Sequence, residues 1–133
     1  MNLDFTPLEK ALITLKRGID RAIAAPNDEE LRDAVIQRFE YSYELCWRML
    51  KRQLEQEVAN PAIIDTLSFR QLIREGAERG IIDHVENWFE YRRQRNITSH
   101  VYDQEKAKSV FQTALNFYPE AIVLLQRLLS RNV

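Results

Sequence analysis

The sequence predicts an all-α protein, an antiparallel up-and-down bundle of four long helices plus one short helix. Three observations predict it. Strong helix formers (Leu, Ala, Glu, Arg, Gln) are abundant, and only 3 Gly and 4 Pro occur among 133 residues. Apolar residues recur at helical spacing rather than in alternation. Helix-start signatures stand between short breaks in the pattern.

The first helix opens at Thr6-Pro7-Leu8-Glu9, where Thr6 is expected to cap, Pro7 suits the first turn and Glu9 completes a capping box. Leu8, Ala11, Leu12, Leu15, Ile19, Ala22 and Ile23 then share one face. Ala25-Pro26-Asn27 ends it, and Asn27 with Glu30 starts the next. The second helix is expected from about Asp28 to about Val58, a length of roughly 45 Å at the rise of an ideal helix. Leu31, Val35, Phe39, Cys46, Leu50 and Leu54 trace its core stripe. Asn60-Pro61 closes it, and Ala62-Ile63-Ile64 is a short apolar connector. Ser68 with Gln71 opens the short helix, which stops at Gly76 or Gly80. Asp83 with Glu86 opens the fourth, carrying Val85, Trp88 and Phe89. Asp103 caps the last, whose apolar residues include Val110, Leu115, Ile122, Leu125 and Leu129; Pro119 should kink or restart it. No repeat or linker divides the chain, so residues 1–133 read as a single domain. Helices joined by short loops hide their stripes by packing antiparallel. The long second helix offers more apolar surface than one subunit can cover, which predicts a dimer.

Composition narrows the function. A hydrophobic content of 45% and a charged content of 29% suit a globular domain. A net charge of −1 excludes nucleic-acid binding through the whole surface, so any anion site must be a local basic patch. The single Cys excludes an internal disulfide and, with 2 His, argues against a Cys/His zinc site. Neither a metal nor a cofactor is expected. No apolar run reaches the roughly 18 residues of a membrane span. The start MNLDFTPLEK lacks a basic stretch and an apolar signal core, so the expected location is the cytoplasm.

The chemistry-bearing stretch is Arg92-Arg93-Gln94-Arg95-Asn96-Ile97-Thr98-Ser99-His100-Val101-Tyr102. His exchanges protons near neutral pH, and the planar fork of Arg grips phosphate oxygens. Together they could cleave RNA without a metal. His100 would assist the 2′-hydroxyl or the leaving oxygen, and Arg95 would stabilise charge on phosphorus. On an ideal helix Arg95 and His100 stand about 140° apart, so convergence requires a loosened turn or a second subunit. Asn96, one turn before His100, could orient it. The bland alternative is a solvated helix end with His100 capping carbonyls.

A second constellation lies on the second helix, in the aromatic run Phe39-Glu40-Tyr41-Ser42-Tyr43-Glu44-Leu45-Cys46-Trp47-Arg48. Glu40, Glu44, Trp47 and Lys51 share one face. They form either ordinary surface ion pairs beside core aromatics or a polar wall whose carboxylates orient Arg95 or His100.

Taken together, Leu31 through Tyr41, Tyr43 through Trp47 and Arg95 through Tyr102 carry a resemblance covering nearly the whole chain. It resembles the nucleotidyltransferase substrate-binding family of the HEPN superfamily. The resemblance implies a dimerising HEPN-like bundle and a minimal nucleotidyltransferase partner encoded nearby. In related pairs the helical protein is a toxin and the nucleotidyltransferase its antitoxin. Such toxins look like metal-independent ribonucleases with an Arg-x4-His-x-Tyr motif, which falls here on Arg95, His100 and Tyr102. In some pairs the partner transfers AMP to the motif tyrosine, by position Tyr102. The family's older name implies a different role, a non-catalytic subunit that binds nucleotide or substrate for the nucleotidyltransferase.

Overall fold

The computed structural model describes residues 3–132. These form α1 (Thr6–Ala24), α2 (Glu29–Glu57), α3 (Ala62–Asp65), α4 (Phe69–Glu78), α5 (Val85–Arg95), a 3-10 turn (Thr98–His100) and α6 (Gln104–Ser130). The all-helical bundle is as expected. Its lengths are distributed differently: α1, α2 and α6 are long, while α4 and α5 hold 10 and 11 residues. The apolar connector after Asn60-Pro61 is itself a single helical turn, α3. Helices α1, α2 and α6 pack against one another; α5 lies across α2 and α6, and α4 leans on α5 and α2.

The core explains how α5 is held. Phe117 of α6 is fully buried. Its ring meets Phe39 of α2 edge-on at 5.2 Å, and Trp88 and Tyr91 of α5 at 5.9 and 5.3 Å. Edge-to-face pairs add about 0.5–1.5 kcal/mol each beyond their burial. One ring therefore pins three helices, and α5 has little freedom to turn on its axis.

Two of the five expected helix starts follow the expected chemistry. Ser68 and Gln71 form the capping box of α4. Asp103 accepts from the backbone of Glu105 and Lys106 at the start of α6. Three expectations are corrected. Thr6 does not cap α1: it lies inside the first turn, and the Asp4 carboxylate accepts from its N–H at 3.0 Å. Asp28, rather than Asn27, caps α2 by accepting from Glu30 and Leu31. Asp83 does not cap α5, because its carboxylate binds Arg127 of α6 at 2.8 Å and His84 takes the cap position. Each case is decided by a competing charged partner or by an acid placed one residue better.

Pro119 does not restart α6, which runs unbroken from Gln104 to Ser130. Phe117, Ala121 and Leu124 bury the helix on both sides of the proline, so packing outweighs its missing hydrogen bond. The buried stripe of α6 is Ala107, Val110, Thr113, Ala114, Phe117, Ala121, Leu124, Leu125 and Leu128, so Val110 and Leu125 are buried as expected. Leu115 and Ile122 flank it half-buried, and Leu129 is exposed. Three alanines thus sit on the buried face of α6. Ile23 is likewise exposed at the end of α1.

Candidate functional site

Helix α5 stops at Arg95, and its guanidinium crosses to α2. Arg95 Nε donates to Glu44 Oε1 at 2.9 Å, and Nη2 lies 3.4 Å from Glu40 Oε1. The polar wall read from the sequence therefore exists and faces Arg95. Glu44 is steadied from its other side. Trp47 Nε1 donates to its Oε2 at 3.1 Å, and the Arg48 guanidinium stands 3.7 Å away. Arg95, Glu44 and Glu40 remain 33%, 27% and 39% exposed at their side chains, so the cluster is wet enough to exchange partners. Among the described residues Nη1 of Arg95 makes no hydrogen bond.

The chain beyond Arg95 is where the ideal-helix argument fails. Asn96 is the C-cap of α5, and a 3-10 turn over Thr98–His100 follows. The Thr98 hydroxyl donates back to the Arg95 carbonyl at 2.8 Å. The His100 N–H donates to the Ile97 carbonyl at 2.8 Å. Ile97 and Val101 pack against the core and anchor this turn. Ser99, His100 and Tyr102 face outward. The α-helix thus breaks between Arg95 and His100. β-branched Ile97 and Thr98 with Ser99 are weak helix formers, which accounts for it.

His100 and Tyr102 lie side by side. Tyr102 Oη is 3.5 Å from His100 Nδ1, and their rings meet edge-on with centroids 6.0 Å apart. Tyr102 is 80% exposed, the most open large aromatic of the chain's described residues. Asn96 does not play the part expected of it. No hydrogen bond joins it to His100 among the described residues, and its side chain instead lines a cavity of about 440 Å³ with Arg70, Phe89 and Arg92. The α-helical spacing that would have stacked Asn96 beneath His100 ends before it can act.

Sequence reasoning missed three features. The Trp47 indole as a support for Glu44 was visible only as a shared face. The guanidinium of Arg92 lies over the Phe69 ring, and those of Arg70 and Arg74 lie over Phe89. No spacing rule links α4 to α5, so no local signal could have paired them. Tyr91 hydrogen-bonds Glu120, and burial beside that carboxylate raises its pKa above the ordinary phenol range. Cys46 is fully buried, and burial pushes its thiol up, which makes it an inert core residue as expected. His84 is exposed. Among the described residues no group of three or more His, Cys, Asp or Glu could hold a metal ion, and no helix is long and apolar enough to cross a membrane.

Comparison with known proteins gives three findings. The family described as "Nucleotidyltransferase substrate binding protein like" matches residues 3–130. A Haemophilus influenzae protein named "Probable ribonuclease HepT" is 44% identical over 97 residues, which is 73% of this chain and 66% of that protein. The match therefore spans just under two thirds of that relative's length. A solved structure from Haemophilus influenzae, described as the fold of a substrate binding domain of a nucleotidyltransferase, superposes with a TM-score of 0.88. It is 34% identical, over 94% of this chain and 98% of that one. A Thermus thermophilus structure superposes with a TM-score of 0.74 at 28% identity, over 91% of this chain and 98% of that one.

Proposed function

The chain belongs to the nucleotidyltransferase substrate-binding-protein-like family, and from that premise we propose that it is the HEPN-type component of a toxin–antitoxin pair, a metal-independent endoribonuclease bound by a nucleotidyltransferase. One observation carries the reading. Arg95 is fixed between α5 and the Glu40–Glu44 wall, and the exposed His100–Tyr102 pair follows one 3-10 turn later.

The chemistry follows from that arrangement. The His100 imidazole accepts the proton of a ribose 2′-hydroxyl, whose oxygen attacks the adjacent phosphorus. The Arg95 Nη1 edge binds a non-bridging oxygen and offsets the charge that grows there. The bond from phosphorus to the 5′-oxygen breaks, and an imidazolium returns a proton to that oxygen. The products are a 2′,3′-cyclic phosphate and a free 5′-hydroxyl. Glu44 and Glu40 set the angle at which Arg95 meets the phosphate.

The active form is a homodimer in this reading. A concavity of about 360 Å³ beside the site is lined by Gln37, Glu40, Tyr41, Glu44 and Arg48, all from α2. A second copy would supply the facing wall and its own His100. The nucleotidyltransferase silences the site by transferring AMP to Tyr102. The phenolic oxygen attacks the α-phosphorus of ATP, pyrophosphate leaves, and the phenolic proton passes to solvent. The new phosphodiester then places a negative charge beside His100 and excludes substrate.

A second reading has its own observation. Glu40 and Glu44 neutralise Arg95 in the free chain, as would suit a non-catalytic subunit that binds nucleotide or substrate for the nucleotidyltransferase. A cleavage assay on a defined single-stranded RNA decides between them. Wild type should cut it, and His100→Ala and Arg95→Ala should lose at least a hundredfold in rate. Equal product from wild type and His100→Ala would leave the binding-subunit reading in place.

A further inference from the structure

Three arginines near the site are treated differently from the rest of the local charge. Arg93 and Arg79 pair with Glu90 and Glu75 at 2.6 and 2.8 Å. Arg70, Arg74 and Arg92 pair with no carboxylate among the described residues. Glu78 lies one helical turn after Arg74, yet the guanidinium turns away from it toward α5. The Arg70 and Arg74 guanidiniums sit 4.3 and 5.5 Å from the centre of the Phe89 ring. That of Arg92 sits 4.3 Å from the centre of Phe69. All three side chains are exposed, while Phe89 is buried and Phe69 half-buried.

A guanidinium laid on a ring gains cation–π attraction and keeps most of its hydrogen-bonding capacity, because its N–H donors point outward in its plane. Its outer face stays open for a second flat group. This gives fixed donors for phosphate oxygens with flat surfaces between them. Single-stranded RNA is bound by the same combination, bases stacking on aromatic or guanidinium planes while cations follow the backbone.

Arg70 and Arg92 are also continuous with the site. Arg92 borders the cavity of about 440 Å³ that holds Arg70, Phe89 and Asn96. It also borders a neighbouring cavity of about 280 Å³ that holds Trp47, Lys51 and Phe69. Arg95 lies one helical turn after Arg92, where neighbouring side chains are about 5–6 Å apart at Cβ. The carboxylates lining the larger cavity are Glu90, which Arg93 occupies, and Glu86; Glu78 stands beside Arg74, and Glu40 and Glu44 hold Arg95. The linings of these two cavities carry more arginine and lysine than carboxylate, although the whole chain carries −1.

We infer that the α4–α5 face is a track for single-stranded RNA, in which Arg70, Arg74 and Arg92 hold phosphates and lead the strand to Arg95. The inference rests on the ribonuclease reading and adds to it a substrate form: unpaired strand rather than duplex. It also explains how a chain of balanced charge can hold a polyanion.

The test uses the cleavage-dead His100→Ala chain and a fluorescent single-stranded oligouridylate, with an RNA duplex as comparison. Binding is titrated across a range of salt. The parent should prefer the single strand. Adding Arg70→Ala and Arg74→Ala should raise its Kd about tenfold. It should also flatten the slope of log K against log salt by about 1.4, at roughly 0.7 for each phosphate no longer neutralised. Arg70→Lys with Arg74→Lys should keep the slope and reduce affinity a few fold, since charge stays and the planar stack goes. That pair also keeps the test open if the alanine variant folds poorly, and thermal melts identify that case. Unchanged affinity and slope in the arginine variants, with the parent still binding RNA, overturn the track and leave the ribonuclease reading intact. A parent that binds no RNA overturns both. Variants that bind RNA like the parent but no longer capture the nucleotidyltransferase assign this face to that protein and overturn the track.

Discussion

The Nε of Arg95 donates to the Oε1 of Glu44 across 2.9 Å, tying the last residue of α5 to the middle of α2. That bond aims the guanidinium. Glu44→Ala should therefore lower kcat of RNA cleavage about tenfold, because a group displaced by an ångström forfeits much of its effect on a transition state. KM should stay level or fall, since a negative charge next to the phosphate site has gone. A KM that rises with unchanged kcat would show that Glu44 acts on substrate binding rather than on the aim of Arg95.

Tyr102 is exposed and makes no core contact, so Tyr102→Phe should leave thermal stability within about 0.5 kcal/mol. Incubated with the nucleotidyltransferase and ATP, wild type should gain the mass of AMP on Tyr102, and the variant should not. Intact-protein mass spectrometry reads the difference. An equal gain in both places the modification on another residue.

At the opposite end of α2, Glu57 accepts both Arg131 Nε and Arg131 Nη2, at 2.6 and 2.7 Å, and Gln53 Nε2 at 2.6 Å. The bond from Arg131 is the main reason its carboxyl is lowered to about 2, with Gln53 and Arg79 adding to it. The folded state thus prefers the ionised form. The resulting stability is fully present above the ordinary value of 4.5 and is lost as pH falls through about 2. Allowing for the solvent that still reaches the pair, it amounts to roughly 1–2 kcal/mol. Arg131→Gln should be less stable than wild type at pH 6 by about that amount, and urea titrations of the two should converge as pH drops from about 4.5 toward 2. A constant gap across that range would mean the arginine stabilises by packing alone.

Tyr43 is buried in the aromatic cluster, and its hydroxyl makes no well-formed hydrogen bond among the described residues, although the Arg92 guanidinium approaches it. Burial raises its pKa beyond the ordinary phenol range, and the nearby positive charge of Arg92 offsets only part of that. Tyr43→Phe should therefore be neutral or stabilising by up to about 1 kcal/mol in chemical denaturation, since it removes a desolvated polar group. A destabilisation of more than about 1 kcal/mol would show that Arg92 or another donor satisfies the hydroxyl.

The sequence shows the helices clearly because their signals are local. The Ser68–Gln71 capping box and the Asp103 cap need only a few neighbouring residues to read. The shared face of Glu40, Glu44 and Trp47 is legible for the same reason, as helical spacing alone fixes it. Errors arise where a distant partner decides. Asp83 has the spacing of a cap for α5 but is claimed by Arg127, 44 residues on. The buried face of α6 includes Ala107, Ala114 and Ala121, small residues that a reading by leucine spacing passes over. Asn96 would sit beneath His100 only if the helix continued, and it does not. The arginine–aromatic stacks between α4 and α5 join residues at separations no periodicity can encode.

The end of α5 at Arg95 divides the catalytic candidates between two kinds of support. Arg95 belongs to the framework pinned by Phe117, and His100 and Tyr102 belong to a surface turn held by Ile97 and Val101. Substitutions at Ser99, His100 and Tyr102 can therefore change rate, specificity or control without drawing on the stability of the bundle. On the proposed function, selection could tune or silence the activity while the fold stays the same.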